Sequence, residues 1–415
     1  MKKKTTASGG LIFLIWLVYA TSYLGKVNYS ANITQIITHF GVSKSEAGLV
    51  PTMFFFAYGA GQVINGLLCK HYPIRWMVPG SLLLSAAINL IVGLTPNFAI
   101  IKWLWMVNGL TLSVLWPSLI RLSSESFSQK SLGKSVLTLG TTVASGTLTI
   151  YGLSAIFATF NGFRLAFYTA ALADTTVAVL WFFLFRKLQN QALAEKNGEI
   201  LSENTKQEQK KIVIRPRLVW TMVTVLCLFA VGCNLLKDGL NTWVPSVLKD
   251  TYGFDDSIAI FLTLFLPVMA IFGTFFAVFL HKKIADFVSH CLVLFLLMGV
   301  LIGGILWSLE ANLAVVMLLC LIGTSLLASS MNNVVTSMFP MYMRDSVNSG
   351  MIAGVVDGFC YLGSAISAYG LGAVAEKHGW SAVFWLLLGV CGVAAVIWCF
   401  YILLKTLWKK EKVLQ

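Results

Sequence analysis

Charge is scarce in this chain. Asp, Glu, Lys and Arg together make up 11% of 415 residues, against ~25% in soluble domains. That deficit excludes a soluble enzyme, a disordered chain or a secreted disulfide scaffold. Acid is scarcer than base: 17 Asp and Glu stand against 30 Lys and Arg, a net charge of +13. The basic residues form no clustered face of the kind nucleic acid requires, so no nucleic-acid partner is expected. There are 5 histidines, all in loops or near helix ends, which argues against a buried histidine proton relay. The 8 cysteines contain no CxxC pair, so neither a zinc site nor a disulfide frame is indicated. A phosphate-cradling glycine loop, a metal-ligand cluster and a nucleophile triad are also missing. The sequence therefore gives no support for an enzyme, a metal or a cofactor.

What the chain has is apolar length. Hydrophobic residues reach 57% and the mean hydropathy is +0.80. A run of about 20 apolar residues crosses a bilayer as a helix. Such runs occur at 10–36, 46–69, 75–95, 99–121, 133–160, 162–186, 216–248, 257–281, 287–309, 312–339, 346–374 and 379–407. The expectation is an all-α membrane protein of twelve transmembrane helices. The first run follows Lys2, Lys3 and Lys4; it is longer than a signal-peptide core and reads as a retained span.

Residues 187–215 form the one long polar stretch and divide the spans six and six. The expected organisation is an N-terminal six-helix half (1–186), a cytoplasmic linker (187–215), partly helical at the surface, and a C-terminal six-helix half (216–415). An even number of spans puts both termini on one side. That side carries the N-terminal lysines, Lys70, Arg75, Arg121, Lys130, Lys134, the basic residues from Arg186 to Arg217, Lys282, Lys283, Arg344 and those from Lys405 to Lys412. The other side carries only Lys44, Lys102, Arg164, Lys249 and Lys377. By the positive-inside rule both termini are cytoplasmic, in a plasma or bacterial inner membrane.

An ionisable residue at membrane depth costs several kcal/mol unless it faces a cavity or a partner. The spans contain Lys26, Lys237, Asp174, Asp238 and Asp357. Helical spacing sorts their neighbours onto faces. Tyr19, Tyr23 and Ser30 share the face of Lys26; Asn234 and Asn241 share that of Lys237. Similar stripes are Tyr58, Gln62 and Asn65; Thr138, Thr142, Ser145 and Thr149; Ser325, Ser329, Asn332 and Thr336; and Asp357, Tyr361 and Ser364. Interhelical hydrogen bonding accounts for many such residues. A lone long cation is a poor packing element, however, and each half places one lysine deep in its opening span. Lys26 and Lys237 are therefore expected to face a cavity. Adjacent helical residues point about 100° apart, so Asp238 is expected to turn from the Lys237 face toward another helix. Asp357 is a candidate lysine partner or proton carrier, and Asp174 has no obvious partner.

Four passages give the sequence a resemblance to the major facilitator superfamily, and within it to the organophosphate:phosphate antiporters that exchange glycerol phosphate and hexose phosphate. They are Tyr23-Leu24-Gly25-Lys26-Val27-Asn28-Tyr29; Leu235-Leu236-Lys237-Asp238-Gly239 with Trp243, Pro245 and Leu248-Lys249; Trp116-Pro117 and Arg121 running to Phe127-Ser128-Gln129-Lys130 and Gly133; and Ala353-Gly354 with Tyr361-Leu362-Gly363. The resemblance covers nearly the whole chain. It implies two halves rocking about a phosphate site built from two arginines, one on the opening helix of each half. Those positions are Lys26 and Lys237 here, and lysine binds as a flexible point charge where arginine grips bidentately. The family's tyrosines match Tyr19 and Tyr23; its cavity lysine in span 2 matches Gln62 and its cavity histidine in span 5 matches Thr142. Asp238 stands where the family has an aromatic residue, and Lys70 and Lys282 where the superfamily's loops carry acid.

These readings converge on a monomeric secondary carrier of a small organic anion. An organophosphate exchanged for inorganic phosphate is the leading reading. The expected lining is Lys26, Lys237, Tyr19, Tyr23, Gln62, Thr142, Asn234, Asn241 and Tyr361. If Asp238 and Asp357 are ionised and face inward, a monoanion, a zwitterion or a sugar acid fits better than a dianion; if either is protonated in one state, the alternative is a proton-coupled carrier of a sugar acid, a zwitterion or a neutral solute. A third reading is a membrane sensor of a sugar phosphate.

Overall fold

The computed structural model describes residues 7–68, 71–128, 131, 134–135, 138–202, 216–342 and 349–410. Lys2 to Lys4, Lys70, Gln129, Lys130, Gly133, Arg344 and positions 203–215 lie outside the described residues, as do the side chains of Arg217 and Ala353. The helices are α1 (Ala7–Ala31), α2 (Ile33–Phe40), α3 (Lys44–Leu68), α4 (Ile74–Leu94), α5 (Phe98–Leu112), α6 (Leu115–Ser126), α7 (Thr142–Ala158), α8 (Arg164–Ser202), α9 (Pro216–Tyr252), α10 (Asp256–Thr263), α11 (Phe265–His281), α12 (Phe287–Glu310), α13 (Ala314–Asn333), α14 (Phe339–Tyr342) and α15 (Ser349–Lys410).

Among the described residues, ten helical segments are long and apolar enough to cross a membrane, and α7 is a shorter apolar helix. One of the ten, Gly354–Thr406, is 53 residues long. At 1.5 Å per residue it would extend about 80 Å, far beyond the ~30 Å hydrocarbon core. Gly379, at φ 76 and ψ 176, breaks it into two passes. With α7 this makes the twelve crossings that the apolar runs predict.

The elements depart from the uninterrupted runs where polar groups compete for the backbone. Span 1 stops at Ala31: Asn32 Nδ2 donates to the Asn28 carbonyl at 2.8 Å and to Ser154 Oγ at 2.8 Å. The short helix α2 then continues to Gly41, whose left-handed φ of 64 closes it. Span 4 is interrupted between α5 and α6, where Ser113 Oγ donates to the Leu110 carbonyl at 2.6 Å. Span 8 is divided at Leu264, ahead of Pro267, and a π-helical turn, Val334–Met338, follows α13. Span 6 runs on as α8 into the polar linker as far as Ser202. Glu195 on that extension accepts from Ser8 N and Oγ at 2.7 and 2.8 Å, and Lys196 donates to the Glu125 carbonyl at 2.7 Å.

The opening helices of the two sets of spans are approached in matching ways. A Cβ at Gly146 of α7 would run into the Ala20 carbonyl of α1, and a Cβ at Gly363 of α15 would run into the Val231 carbonyl of α9. Glycine thus lets span 5 lie directly on span 1 and span 11 on span 7. Across the chain, α3 packs against α15, and α7 against α10.

Asp286 anchors the start of α12. It accepts from Ser289 N at 2.9 Å, Tyr401 Oη at 3.1 Å and Lys405 Nζ at 2.7 Å. Burial raises its carboxyl, but the hydrogen bonds from Lys405 and Ser289 outweigh this and hold it below the usual carboxylate range. With a depressed folded value, its contribution is complete above the unfolded carboxylate value and is lost as pH falls through the folded one. Asp286→Ala removes a cap and leaves Lys405 unpaired. It should cost about 1–3 kcal/mol, seen as a lower melting temperature in detergent at pH 7, with the gap to the parent closing in acid.

Candidate functional site

The structure brings Lys26 into an aromatic cage. Its side chain is buried, and Nζ lies 4.0 Å from the Tyr58 ring centroid, 4.7 Å from Tyr23, 4.9 Å from Tyr361 and 5.9 Å from Phe54. The ammonium donates to Tyr361 Oη at 3.2 Å and Tyr23 Oη at 3.5 Å. It forms no ion pair among the described residues. Four π faces and two hydroxyls give a cation partial compensation in a dry site, and none of them neutralises its charge. The cage arises from helical spacing. Tyr23 lies one turn before Lys26 on α1, Phe54 and Tyr58 lie one turn apart on α3, and Tyr361 comes from span 11. Tyr19 extends the wall: its hydroxyl is 3.4 Å from that of Tyr58, and its ring lies 4.8 Å from Trp116. Gln62, one turn beyond Tyr58, is buried with its Nε2 unpaired.

Lys237 is held differently. Its Nζ is 3.6 Å from Asp238 Oδ1, with side chains 22% and 17% exposed. Asp238 Oδ2 accepts from Ser364 Oγ on span 11 at 2.5 Å. The acid does reach a neighbouring helix, as its position on α9 predicts. Its other oxygen is nevertheless within range of Lys237, because the long lysine side chain can bend back to its neighbour. Asn234 donates to Asn332 Oδ1 at 3.2 Å, tying α9 to α13. Asp357 is half-buried and makes no ion pair among the described residues, but it lies within electrostatic range of Lys26, Lys237 and Asp238. The four charges therefore form one cluster at the boundary between the two sets of spans.

Two residues in the expected lining make further contacts. Thr142 is buried at the start of α7, and its Oγ1 donates to the Leu139 carbonyl at 2.5 Å. Asn241 contributes its backbone carbonyl, which accepts from Tyr151 Oη at 2.8 Å. Asp174 stands apart from the charge cluster, fully buried on α8. Tyr58, Asn332 and Ser364 lay on the polar stripes without being singled out as lining. Phe54 lies in the run Phe54-Phe55-Phe56 and Tyr151 alone in an apolar stretch, and neither carries a periodic signal that marks it.

The polar ties between the first six spans and the last six run in one direction. Lys44 Nζ pairs with Asp250 Oδ2 at 2.9 Å, and Ser45 N donates to Glu376 Oε2 at 3.0 Å. Deeper, Thr52 Oγ1 donates to the Ala365 carbonyl at 2.8 Å, then come Tyr151 with Asn241 and Lys26 with Tyr361. All lie between the level of Lys26 and the face opposite the termini, where a vestibule of about 340 Å³ is lined by Thr38, Lys44, Lys249, Asp250 and Glu376. The molecule is latched at the Lys44–Asp250 face.

The chain matches the family model described as Major Facilitator Superfamily over residues 15–351. It is 22% identical over 402 residues to the membrane sensor protein UhpC of Escherichia coli (strain K12), covering 93% of this chain and 90% of that protein. It is 20% identical over 412 residues to a probable hexose phosphate transport protein of Chlamydia pneumoniae, covering 93% and 89%. Sugar phosphate exchanger 3 of Homo sapiens is 23% identical over 381 residues, covering 81% and 76%. Among solved structures, an inward-facing, occupied bacterial homolog of the human lysosomal transporter Spinster matches with a TM-score of 0.71 at 14% identity, over 95% of this chain and 96% of that one. A D-xylose–proton symporter matches with a TM-score of 0.70 at 14% identity, over 94% and 96%. Both structural likenesses concern the fold.

Proposed function

The chain belongs to the major facilitator superfamily, and from that premise we propose that it exchanges a small organic anion of the sugar-phosphate class for inorganic phosphate by alternating access. The observation that carries the reading is the pair of lysines facing one boundary. Lys26 is buried without a carboxylate, and Lys237 lies opposite with an acid it can exchange for a ligand. An anion entering between them gives Lys26 the counter-charge it lacks and competes with Asp238 for Lys237. The hexose phosphate and sugar phosphate names of its relatives support the same substrate class. Tyr19, Tyr23, Gln62, Asn234 and Tyr361 then contact the uncharged part of the ligand.

With Asp238 and Asp357 both ionised, the four charges sum to zero. The site then suits a singly charged phosphate ester better than a dianion, because the second negative charge has no cation of its own. With the basic loops inside, both termini are cytoplasmic and the latched face is the outer one. The functional unit in this reading is a monomer.

Counterflow tests the proposal. Purified protein in liposomes loaded with unlabelled phosphate should accumulate labelled phosphate, and sugar phosphates should compete for it. Absence of exchange by folded protein, across that panel, removes the antiporter reading. The similarity to a membrane sensor favours one other outcome, saturable binding of a sugar phosphate with no flux, which would make the same site a receptor.

A further inference from the structure

Two ionisable groups at the boundary between the sets of spans stand without an opposite charge, and they differ in sign. Lys26 is buried in its ring cage with two hydroxyls and no carboxylate. Asp357 is half-buried, and its carboxyl makes no ion pair or hydrogen bond among the described residues. The other two charged groups of the cluster, Lys237 and Asp238, lie 3.6 Å apart and face each other.

Spans 2 and 11 set the spacing of the unpaired two. They lie directly against one another: a Cβ at Gly59 would be 2.8 Å from Tyr361 Cβ, and one at Gly358 would be 3.2 Å from Val63 Cγ2. The Tyr58 and Tyr361 rings, 4.6 Å apart, form the layer that holds the Lys26 ammonium. Asp357 belongs to the next layer. It comes four residues before Tyr361 on the same face of span 11, one turn or ~6 Å along the axis. Gln62 comes four residues after Tyr58 and enters that layer from span 2, with its Nε2 buried and unpaired. Rings and hydroxyls keep the Lys26 ammonium in the tyrosine layer, so it does not neutralise Asp357.

A simple anion is a poor match for this arrangement. On Lys26 it meets the charge it needs, but it also brings negative charge toward Asp357. A phosphate ester whose sugar carries an ammonium group gives each of the two its partner. An ammonium beside Asp357 favours the carboxylate whichever form the acid had beforehand. The ligand's total charge fits as well. A phosphate monoester carries about −1.5 to −2, and one ammonium brings it close to the single negative charge preferred by a site of two lysines and two acids.

We propose that the preferred organic substrate of this carrier is an amino-sugar phosphate, bound with its phosphate between Lys26 and Lys237 and its ammonium on Asp357. The inference rests on the anion-site reading above and narrows it. Gln62 donates to a sugar hydroxyl between the two ends, and inorganic phosphate occupies the lysine end alone. Asp357 is then the residue that tells this substrate from a plain sugar phosphate.

Three esters that differ at one position test the proposal: glucosamine 6-phosphate with an ammonium, glucose 6-phosphate with a hydroxyl and N-acetylglucosamine 6-phosphate with a neutral amide. Each is used in two ways, as a competitor of labelled phosphate in counterflow and as a stabiliser of the purified protein against heat. In both, the half-effective concentration of glucosamine 6-phosphate should be about tenfold below that of the other two, one 1.4 kcal/mol step. In Asp357→Asn the values for glucosamine 6-phosphate and glucose 6-phosphate should converge. Equal values in the wild type overturn the proposal, a readout that needs no variant to fold. A preference for the amine that survives in Asp357→Asn also overturns it, because the ammonium is then read elsewhere. The preference seen in heat stabilisation without flux removes the exchange reading and leaves the present one standing. Flux with equal values does the reverse, and no stabilisation by any of the three removes both.

Discussion

Lys26→Ala should reduce phosphate exchange at least ~30-fold while leaving a protein that inserts and melts normally. Losing one partner of a desolvated charge pair costs about 2–5 kcal/mol in a complex, and about 2 kcal/mol corresponds to ~30-fold. In the resting protein the same lysine is caged by aromatic rings and tyrosine hydroxyls and forms no ion pair among the described residues, so its removal takes away a costly buried charge as well as its favourable contacts. Lys26→Met, which fills the cage without charge, should match or exceed the parent's melting temperature and be as inactive as the alanine variant. Counterflow and a thermal melt on the same preparations separate the two effects. Exchange at the parental rate in both variants would remove Lys26 from the site.

The second large effect is expected at Lys237, with the opposite balance between function and stability. Asp238 is fixed by Ser364, so Lys237→Ala leaves a carboxylate without its cation at the mouth of the site. Transport should be abolished and the melting temperature should fall, because breaking a buried pair is more costly than removing both members. Asp238→Asn keeps the Ser364 contact and frees Lys237 for the ligand. It should lower the phosphate concentration giving half-maximal exchange by about tenfold, one 1.4 kcal/mol step, and shift preference toward doubly charged esters. The double variant Lys237→Ala, Asp238→Asn should recover the lost stability and none of the transport. If Asp238→Asn weakens phosphate binding, the acid belongs to the ligand's contacts and is not its competitor.

The twelve crossings and the two lysines buried within spans could be read in the sequence because both depend on one-dimensional rules. Apolar length sets a span, and an ion in the middle of one stands out whatever surrounds it. The breaks at Asn32 and Ser113 were hidden, since hydropathy does not register a side chain that takes over a backbone carbonyl. Thr142 illustrates the same limit: spacing put it on a polar face, but its hydroxyl is committed to the Leu139 carbonyl. The aromatic cage was half legible. Tyr23 follows from helical spacing to Lys26, whereas Phe54, Tyr58 and Tyr361 reach the ammonium through the meeting of spans 2 and 11, which no periodicity encodes. Asp238 shows why angles alone mislead. The predicted divergence from Lys237 holds at the backbone, and side-chain length reverses it at the charged atoms.

The polar part of the latch between the two sets of spans is thin. Among the described residues it comprises one ion pair, Lys44 with Asp250, whose side chains are 29% and 35% exposed, and four hydrogen bonds. A pair that open to solvent contributes about 0–1 kcal/mol, and each hydrogen bond a net of about 1 kcal/mol. Converting a 1:99 population to 99:1 takes about 5.5 kcal/mol of differential binding, the same order as the polar bonds that must be broken. A molecule sealed more firmly would bind its anion and stay shut; one sealed less firmly would leak without it. The modest strength of the polar seam is of the size that the binding of a single small ligand can offset.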